Sequence, residues 1–219
     1  MDRITKIVYI NLRHREDRNT NILKQLDKIN CKNFSRFDAI KTNFGGLGCC
    51  QSHISILDDF IKEYKDGNSK DELSIMILED DAEFMVNRDI LDKYINEFLD
   101  DKLAHGLSLG YYPHKVEKYN ENFKRSIHVA TTSGYIVKLS MVSNLLDTFR
   151  ESELGLLVME KNNLDMNSKE FRIEYNKYAI DQLWKKLHAK YLWLVPKKKC
   201  VEQYANYSDI EKKQITDRY

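Results

Sequence analysis

Leu73–Phe84 reads Leu-Ser-Ile-Met-Ile-Leu-Glu-Asp-Asp-Ala-Glu-Phe. A short run rich in Ile, Leu and Met ends in three adjacent carboxylates and suits a buried central strand, with a helix left open by periodicity alone. Acids crowded at the end of such a strand repel one another, and a cation relieves them. Their hard oxygens suit Mg²⁺, Mn²⁺ or Ca²⁺ better than zinc or copper. In open α/β sheets the ligand crevice lies beyond the carboxyl ends of the strands, where Glu79 and Asp81 emerge. The competing reading has Glu79, Asp80 and Asp81 capping a helix that starts near Asp89.

Outward from this stretch, strand and helix patterns alternate. Lys6–Leu12 is β-branched and predicts the first strand. Arg13, Arg15 and Arg18 follow it, and Ile22, Leu23, Leu26 and Ile29 recur at helical spacing. A basic turn between a strand and a helix suits an anion, although arginines there also serve as a solvated face. Phe34–Ile40 predicts a short strand near an edge. Gly45, Gly46 and Gly48 predict a tight loop feeding a helix that carries Ser52 and His53; this segment matches neither common phosphate-loop fingerprint. His53 is expected in a supporting or phosphate-facing role rather than as a direct metal ligand.

Asp66–Ser69 reads as a turn, Asp89–Leu99 as a helix, Leu103–Leu109 and Val129–Val137 as strands, and Ser140–Phe149 as a helix. Glu151–Tyr175 looks irregular and polar and is expected to be a loop with at most a short helix, covering a substrate. A helix from Ile180 to Leu187, with Asp181 near its start, and a strand over Tyr191–Val195 complete the pattern. The expected fold is α/β, one domain over residues 1–219 with a mostly parallel central sheet and a loose tail from about residue 204.

Composition narrows the function. Of 219 residues, 42% are hydrophobic and 11% aromatic, which indicates a globular chain. A formal net charge of +1 provides no drive toward nucleic acid or anionic membranes. The four cysteines, Cys31, Cys49, Cys50 and Cys200, show no paired metal-ligand spacing, so a reducing compartment is the simpler expectation. With no apolar leader or spanning run, the expected location is cytoplasmic.

Four segments taken together resemble the family 25 glycosyltransferases, which include lipopolysaccharide-biosynthesis enzymes and procollagen galactosyltransferases. They are Val8–Leu12 with Arg15, Asp17 and Arg18; Gly45 with Gly48, Cys49, Ser52 and His53; Leu78–Asp81 with Phe84; and Thr132 with Tyr135. Asp181 falls where that family has an acid before its last helix. Gly46 stands where an acid is usual, and Ser133 where a His is common. The resemblance implies a GT-A-type nucleotide-binding sandwich in which Glu79 and Asp81 hold Mn²⁺ (or Mg²⁺) against a UDP-sugar. It implies transfer of a hexose, galactose or glucose, to a hydroxyl of a glycan, lipid-glycan or protein, with inversion. Asn11, Arg15, Arg18, Ser52, His53, Glu79 and Asp80 then line the donor site, and Asp181 is the candidate base. Its alternative role is a helix N-cap. Two other functions remain open, a catalytically silent sugar-nucleotide-binding module and a metal-dependent phosphoesterase.

Overall fold

The computed structural model describes residues 1–64, 73–162 and 168–204, together with the backbone of 207–208 and 213–214. The turn expected at Asp66–Ser69 and the chain beyond Tyr204 fall outside the side chains described.

The elements run β1 (Lys6–Asn11), α1 (Glu16–Lys28), β2 (Ser35–Asp38), α2 (Gly45–Glu63), β3 (Ser74–Glu79), β4 (Ala82–Phe84), α3 (Arg88–Asp100), β5 (Ala104–Ser108), β6 (Tyr112–Lys118), β7 (Phe123–Ala130) and β8 (Gly134–Lys138). Then come α4 (Leu139–Lys161), α5 (Lys169–Tyr178), α6 (Ile180–Leu183), α7 (Lys185–Lys190), β9 (Leu192–Pro196) and β10 (Val201–Gln203). Eight strands form one sheet in the order β2-β1-β3-β8-β5-β9-β7-β6. Tracing the pairings across it, all strands point one way except β7 and β8, so the mostly parallel α/β expectation holds.

Alternation along the strands splits the core into two layers. Ile7, Tyr9, Met76 and Leu78 pack with Ile22 and Leu26 of α1 and Leu91, Ile95 and Phe98 of α3. Val8, Ile10, Ile75 and Ile77 pack with Leu57 and Phe60 of α2, Leu145 and Phe149 of α4, and Trp184. Strand β3 is buried on both faces, as its unbroken apolar run requires. On the second face His188 sits between Trp184 and Trp193, with ring centroids 4.9 and 4.7 Å away, and its Nδ1 pairs with Ser126 Oγ at 3.1 Å. Burial pushes its pKa down to about 3.

Several local expectations change. The Gly45–Gly48 run is the first turn of α2 and not a loop, and no described glycine has positive φ. Close approach explains two of them: a Cβ at Gly48 would strike the backbone carbonyl of Ile40, and one at Gly46 would lie 2.7 Å from the Tyr175 ring. The Glu151–Tyr175 region is helical wherever it is described, because Ser152, Leu156 and Met159 continue the buried stripe of α4 past Phe149. Gly155 is where Tyr178 presses against that helix. The single strand expected over Val129–Val137 is two, β7 and β8, separated by a bend at Thr131, whose φ of 75° is left-handed. Strand β6, the part of β7 before Val129 and the short strand β10 lie outside the strands the sequence predicts.

Candidate active site

The connections decide where a ligand crevice can form. Helix α1 leaves β1 and packs on one face of the sheet, whereas α2 returns to β3 on the other. Since β1 and β3 are parallel neighbours, the winding reverses between them, and their carboxyl ends open onto a crevice. Asn11 ends β1 and Glu79 ends β3, and Asp80 and Asp81 turn the chain into β4. The capping alternative for the acids is thereby excluded: Asn87 caps α3, its Oδ1 accepting from the Ile90 amide at 3.0 Å.

Toward α1, Asp80 is clamped. Its Oδ2 accepts from Asn11 Nδ2 at 2.7 Å and its Oδ1 from Arg18 Nη1 at 2.8 Å. The same Arg18 nitrogen lies 3.8 Å from Asp81 Oδ2. Asn11 also donates to the Arg15 carbonyl at 3.1 Å, which ties the end of β1 to the start of α1. Burial raises the Asp80 carboxyl above its usual range even with these partners. Asn11 is 1% exposed, and its Oδ1 has no hydrogen-bond partner among the described residues. Arg15 forks onto Asp17, with Nε and Nη2 at 2.9 and 2.8 Å from its two oxygens, and stands near enough to Arg18 for the two cations to repel.

Toward α2, Glu79 Oε1 accepts from Thr132 Oγ1 at 2.6 Å and lies 3.5 Å from His53 Nε2. His53 is fully buried, and its Nδ1 meets the Tyr135 hydroxyl at 3.0 Å. Cys49, one helical turn earlier, completes a group whose ligand atoms all lie within 4.8 Å of one another. Ser52 is not in this group: its hydroxyl donates to the Gly48 carbonyl at 2.7 Å and accepts from the Ile40 amide at 2.9 Å, pinning α2 to the end of β2.

Asp181 comes in from α6. It does not cap that helix, whose N-cap is Ala179. Its Oδ2 instead accepts from the Thr131 amide at 3.1 Å, an amide turned outward by the bend after β7. Burial raises its pKa, the Thr131 bond and Lys185 oppose the rise, and the negative charge of Glu79 adds to it. Four carboxylates, Glu79, Asp80, Asp81 and Asp181, thus gather near Arg18 and Lys185. That surplus of negative charge, with Asp80 and Asp81 buried and Glu79 and Asp181 half-buried, offers hard oxygen donors of the kind that fit a divalent cation.

Strand β10 closes the near side. Its antiparallel pairing with β4 brings Gln203 Nε2 to 3.4 Å from Asp81 Oδ2, and the Tyr204 amide donates to the Asp81 carbonyl at 2.6 Å. Beside it Tyr111, Tyr112, Thr131, Ser133, Lys199 and Gln203, among others, line a shallow surface dimple.

No family model and no curated protein matches this chain. Among solved structures, a glycosyltransferase involved in the glycosylation of the major capsid of PBCV-1 is similar over 87% of this chain and 92% of its own, at 10% identity and a TM-score of 0.39. A protein described as mannose-1-phosphate geranyltransferase from Thermus thermophilus is similar over 89% of this chain and 73% of its own, at 8% identity and a TM-score of 0.44. Likeness at this level carries no argument about chemistry, and the site rests on its own geometry.

Of the residues singled out in the sequence, Asn11, Arg18, His53, Glu79, Asp80, Asp81 and Asp181 converge on the crevice mouth. Arg15 stands at its rim, engaged with Asp17, and Ser52 is a fastener behind it. Cys49 and Gln203, which the sequence does not mark as candidates, stand beside Glu79 and Asp81. The i, i+4 spacing of Cys49 and His53 on one helix was available as a signal for the first. Nothing in Val201–Gln203 announces the second. All four cysteines are free thiols, and no helix among the described residues is long and apolar enough to cross a membrane.

Proposed function

We propose that this chain is a metal-dependent glycosyltransferase of the family 25 kind, moving a hexose, galactose or glucose, from a UDP-sugar to a hydroxyl of a glycan, lipid-glycan or protein with inversion. The observation that carries the reading is the placement of Asn11 and three consecutive acids at the winding reversal between β1 and β3. The identity of donor and acceptor rests on the family resemblance alone.

Each residue then has a task. Asn11, held by Asp80 and the Arg15 carbonyl, keeps its buried Oδ1 as an acceptor for a donor hydroxyl or base N–H. Arg18 offsets part of the negative charge of Asp80 and Asp81 before the donor arrives. Glu79 and Asp81 would hold the divalent ion, which when bound supplies Lewis-acid neutralisation of the leaving diphosphate. Asp181, its pKa raised by burial, takes the proton of the acceptor hydroxyl. The acceptor oxygen bonds to the anomeric carbon as the carbon–phosphate oxygen bond breaks, and UDP departs with that electron pair. Attack from the face opposite the leaving group inverts the configuration, as for inverting glycosidases.

The test is nucleotide diphosphate release from a panel of sugar nucleotides, with Mn²⁺ and with EDTA. Release of UDP that requires the ion and rises with an acceptor supports the reading. Saturable binding without release identifies a silent module, and release of inorganic phosphate or a nucleoside monophosphate identifies a phosphoesterase.

A further inference from the structure

The acid cluster explains only one side of Glu79. The other side faces Cys49 and His53, a softer and more nitrogen- and sulfur-rich set than any hard cation prefers. Their ligand atoms lie within 4.8 Å of one another, and His53 Nε2 is 3.5 Å from Glu79 Oε1. Ligands of a tetrahedral zinc-class ion at bond lengths of about 2.0–2.3 Å stand roughly 3.3–3.8 Å apart. Small rotations of the Cys49 and Glu79 side chains cover the difference.

Three further details match what such sites need. His53 Nε2 is buried and without a hydrogen-bond partner among the described residues, which leaves a costly orphan in the core. Its other nitrogen, Nδ1, meets the Tyr135 hydroxyl at 3.0 Å. In the tautomer whose Nδ1–H donates there, the lone pair sits on Nε2 and faces Glu79. Glu79 is itself oriented by the Thr132 hydroxyl at 2.6 Å. Ligands whose orientation is fixed by outer hydrogen bonds are characteristic of protein metal centres. Cys49 and His53 share one face of α2, so a rigid helix supplies two of the three donors.

We propose that Cys49 Sγ, His53 Nε2 and Glu79 form a three-ligand site for a thiophilic divalent ion of the zinc class, distinct from the hard-cation position of Glu79 and Asp81. On binding, Cys49 loses its thiol proton to solvent and the sulfur becomes a thiolate ligand, while His53 stays neutral. The fourth position is left to water. This assigns His53 a direct ligand role, where the sequence pointed to a supporting one. If the proposed function is right, the two ions compete for Glu79, and zinc suppresses Mn²⁺-dependent transfer.

The experiment uses the full chain, stripped with EDTA and titrated with Co²⁺ as a spectroscopic stand-in for zinc. The expected result is a one-to-one sulfur-to-cobalt charge-transfer band with tetrahedral visible bands, displaced by equimolar Zn²⁺. Cys49→Ser should lose the charge-transfer band, and His53→Gln should weaken Co²⁺ binding at least tenfold. Cys50→Ser should leave both intact, since its sulfur contacts Phe149 O and Ser152 on the α4 side. A wild-type chain showing no charge-transfer band at stoichiometric Co²⁺ overturns the proposal without reference to any variant. So does a band that survives Cys49→Ser. This readout needs no turnover, so a chain that binds Co²⁺ through Cys49 but releases no UDP keeps the site and rejects the transferase.

Discussion

Replacing Arg18 with Ala separates a buried clamp from a surface ion pair. The Arg18 and Asp80 side chains are 13% and 9% exposed, and the contact is 2.8 Å. Removing one member of such a pair strands the other charge in a poorly solvated place, which costs about 3–5 kcal/mol. Asn11 still donates to Asp80 in the variant, so the lower end, about 3 kcal/mol, is expected. For a chain of this size that is a fall in Tm of roughly 6–12 °C. The loss should depend on pH in a defined direction. Asp80 already has a folded-state pKa above its unfolded value because burial outweighs its partners, and deleting Arg18 removes the main opposing cation and raises it further. A carboxyl with a raised folded pKa binds its proton more tightly when folded, so stability grows as pH falls through that pKa. Urea denaturation at about pH 7 and about pH 5 should therefore show the Arg18→Ala deficit shrinking in acid. Combining it with Asp80→Asn should restore part of the loss at neutral pH. A deficit below about 1 kcal/mol, the worth of an exposed pair, would refute the clamp, as would a deficit that grows on acidification.

Asp181→Asn keeps an acceptor for the Thr131 amide but cannot take a proton; transfer should fall roughly 10²–10⁴-fold with donor affinity retained, measured by product formation and calorimetry. Near-normal transfer would move the base elsewhere. Asp81→Asn should abolish Mn²⁺-dependent UDP release while the ligand-free melting temperature changes little, and full activity at saturating Mn²⁺ would reject Asp81 as a ligand. His188→Gln should flatten stability in acid. Its folded pKa of about 3 lies below the unfolded 6.5, so its contribution is complete above about pH 6.5 and is lost as pH falls toward 3. Acid titration followed by tryptophan fluorescence should show a lower midpoint in the variant.

The crevice between β1 and β3 was legible because it is local in sequence. Strands β1 and β3 each carry a buried apolar run that ends in polar residues, and the rule that ligands gather at carboxyl ends then points to Asn11 and Glu79–Asp81. The direction of each pairing was not legible. Asp80 and Asp81 are neighbours with similar side chains, yet only Asp80 is seized by both Asn11 and Arg18, and that depends on the turn after β3. The sequence reads Gly46 and Gly48 through their freedom of φ, whereas what matters there is the absent Cβ against Tyr175 and Ile40. Those contacts are between segments far apart in the chain. The polar outer face of α4 concealed a helix for the same reason: its buried stripe of Ser152, Leu156 and Met159 is narrow.

The strand order has a consequence for synthesis. Strand β3 pairs with β1 on one side, which precedes it, and with β8 on the other, which begins about 55 residues later. At about 5–20 residues per second the ribosome needs roughly 3–11 s to deliver that second neighbour. Throughout this interval the Ile-Met-Ile-Leu edge is apolar, unpaired and free to join another nascent chain. Slowing translation between residues 80 and 134 should thus lower the soluble yield, and a chaperone that covers extended apolar strands should restore it.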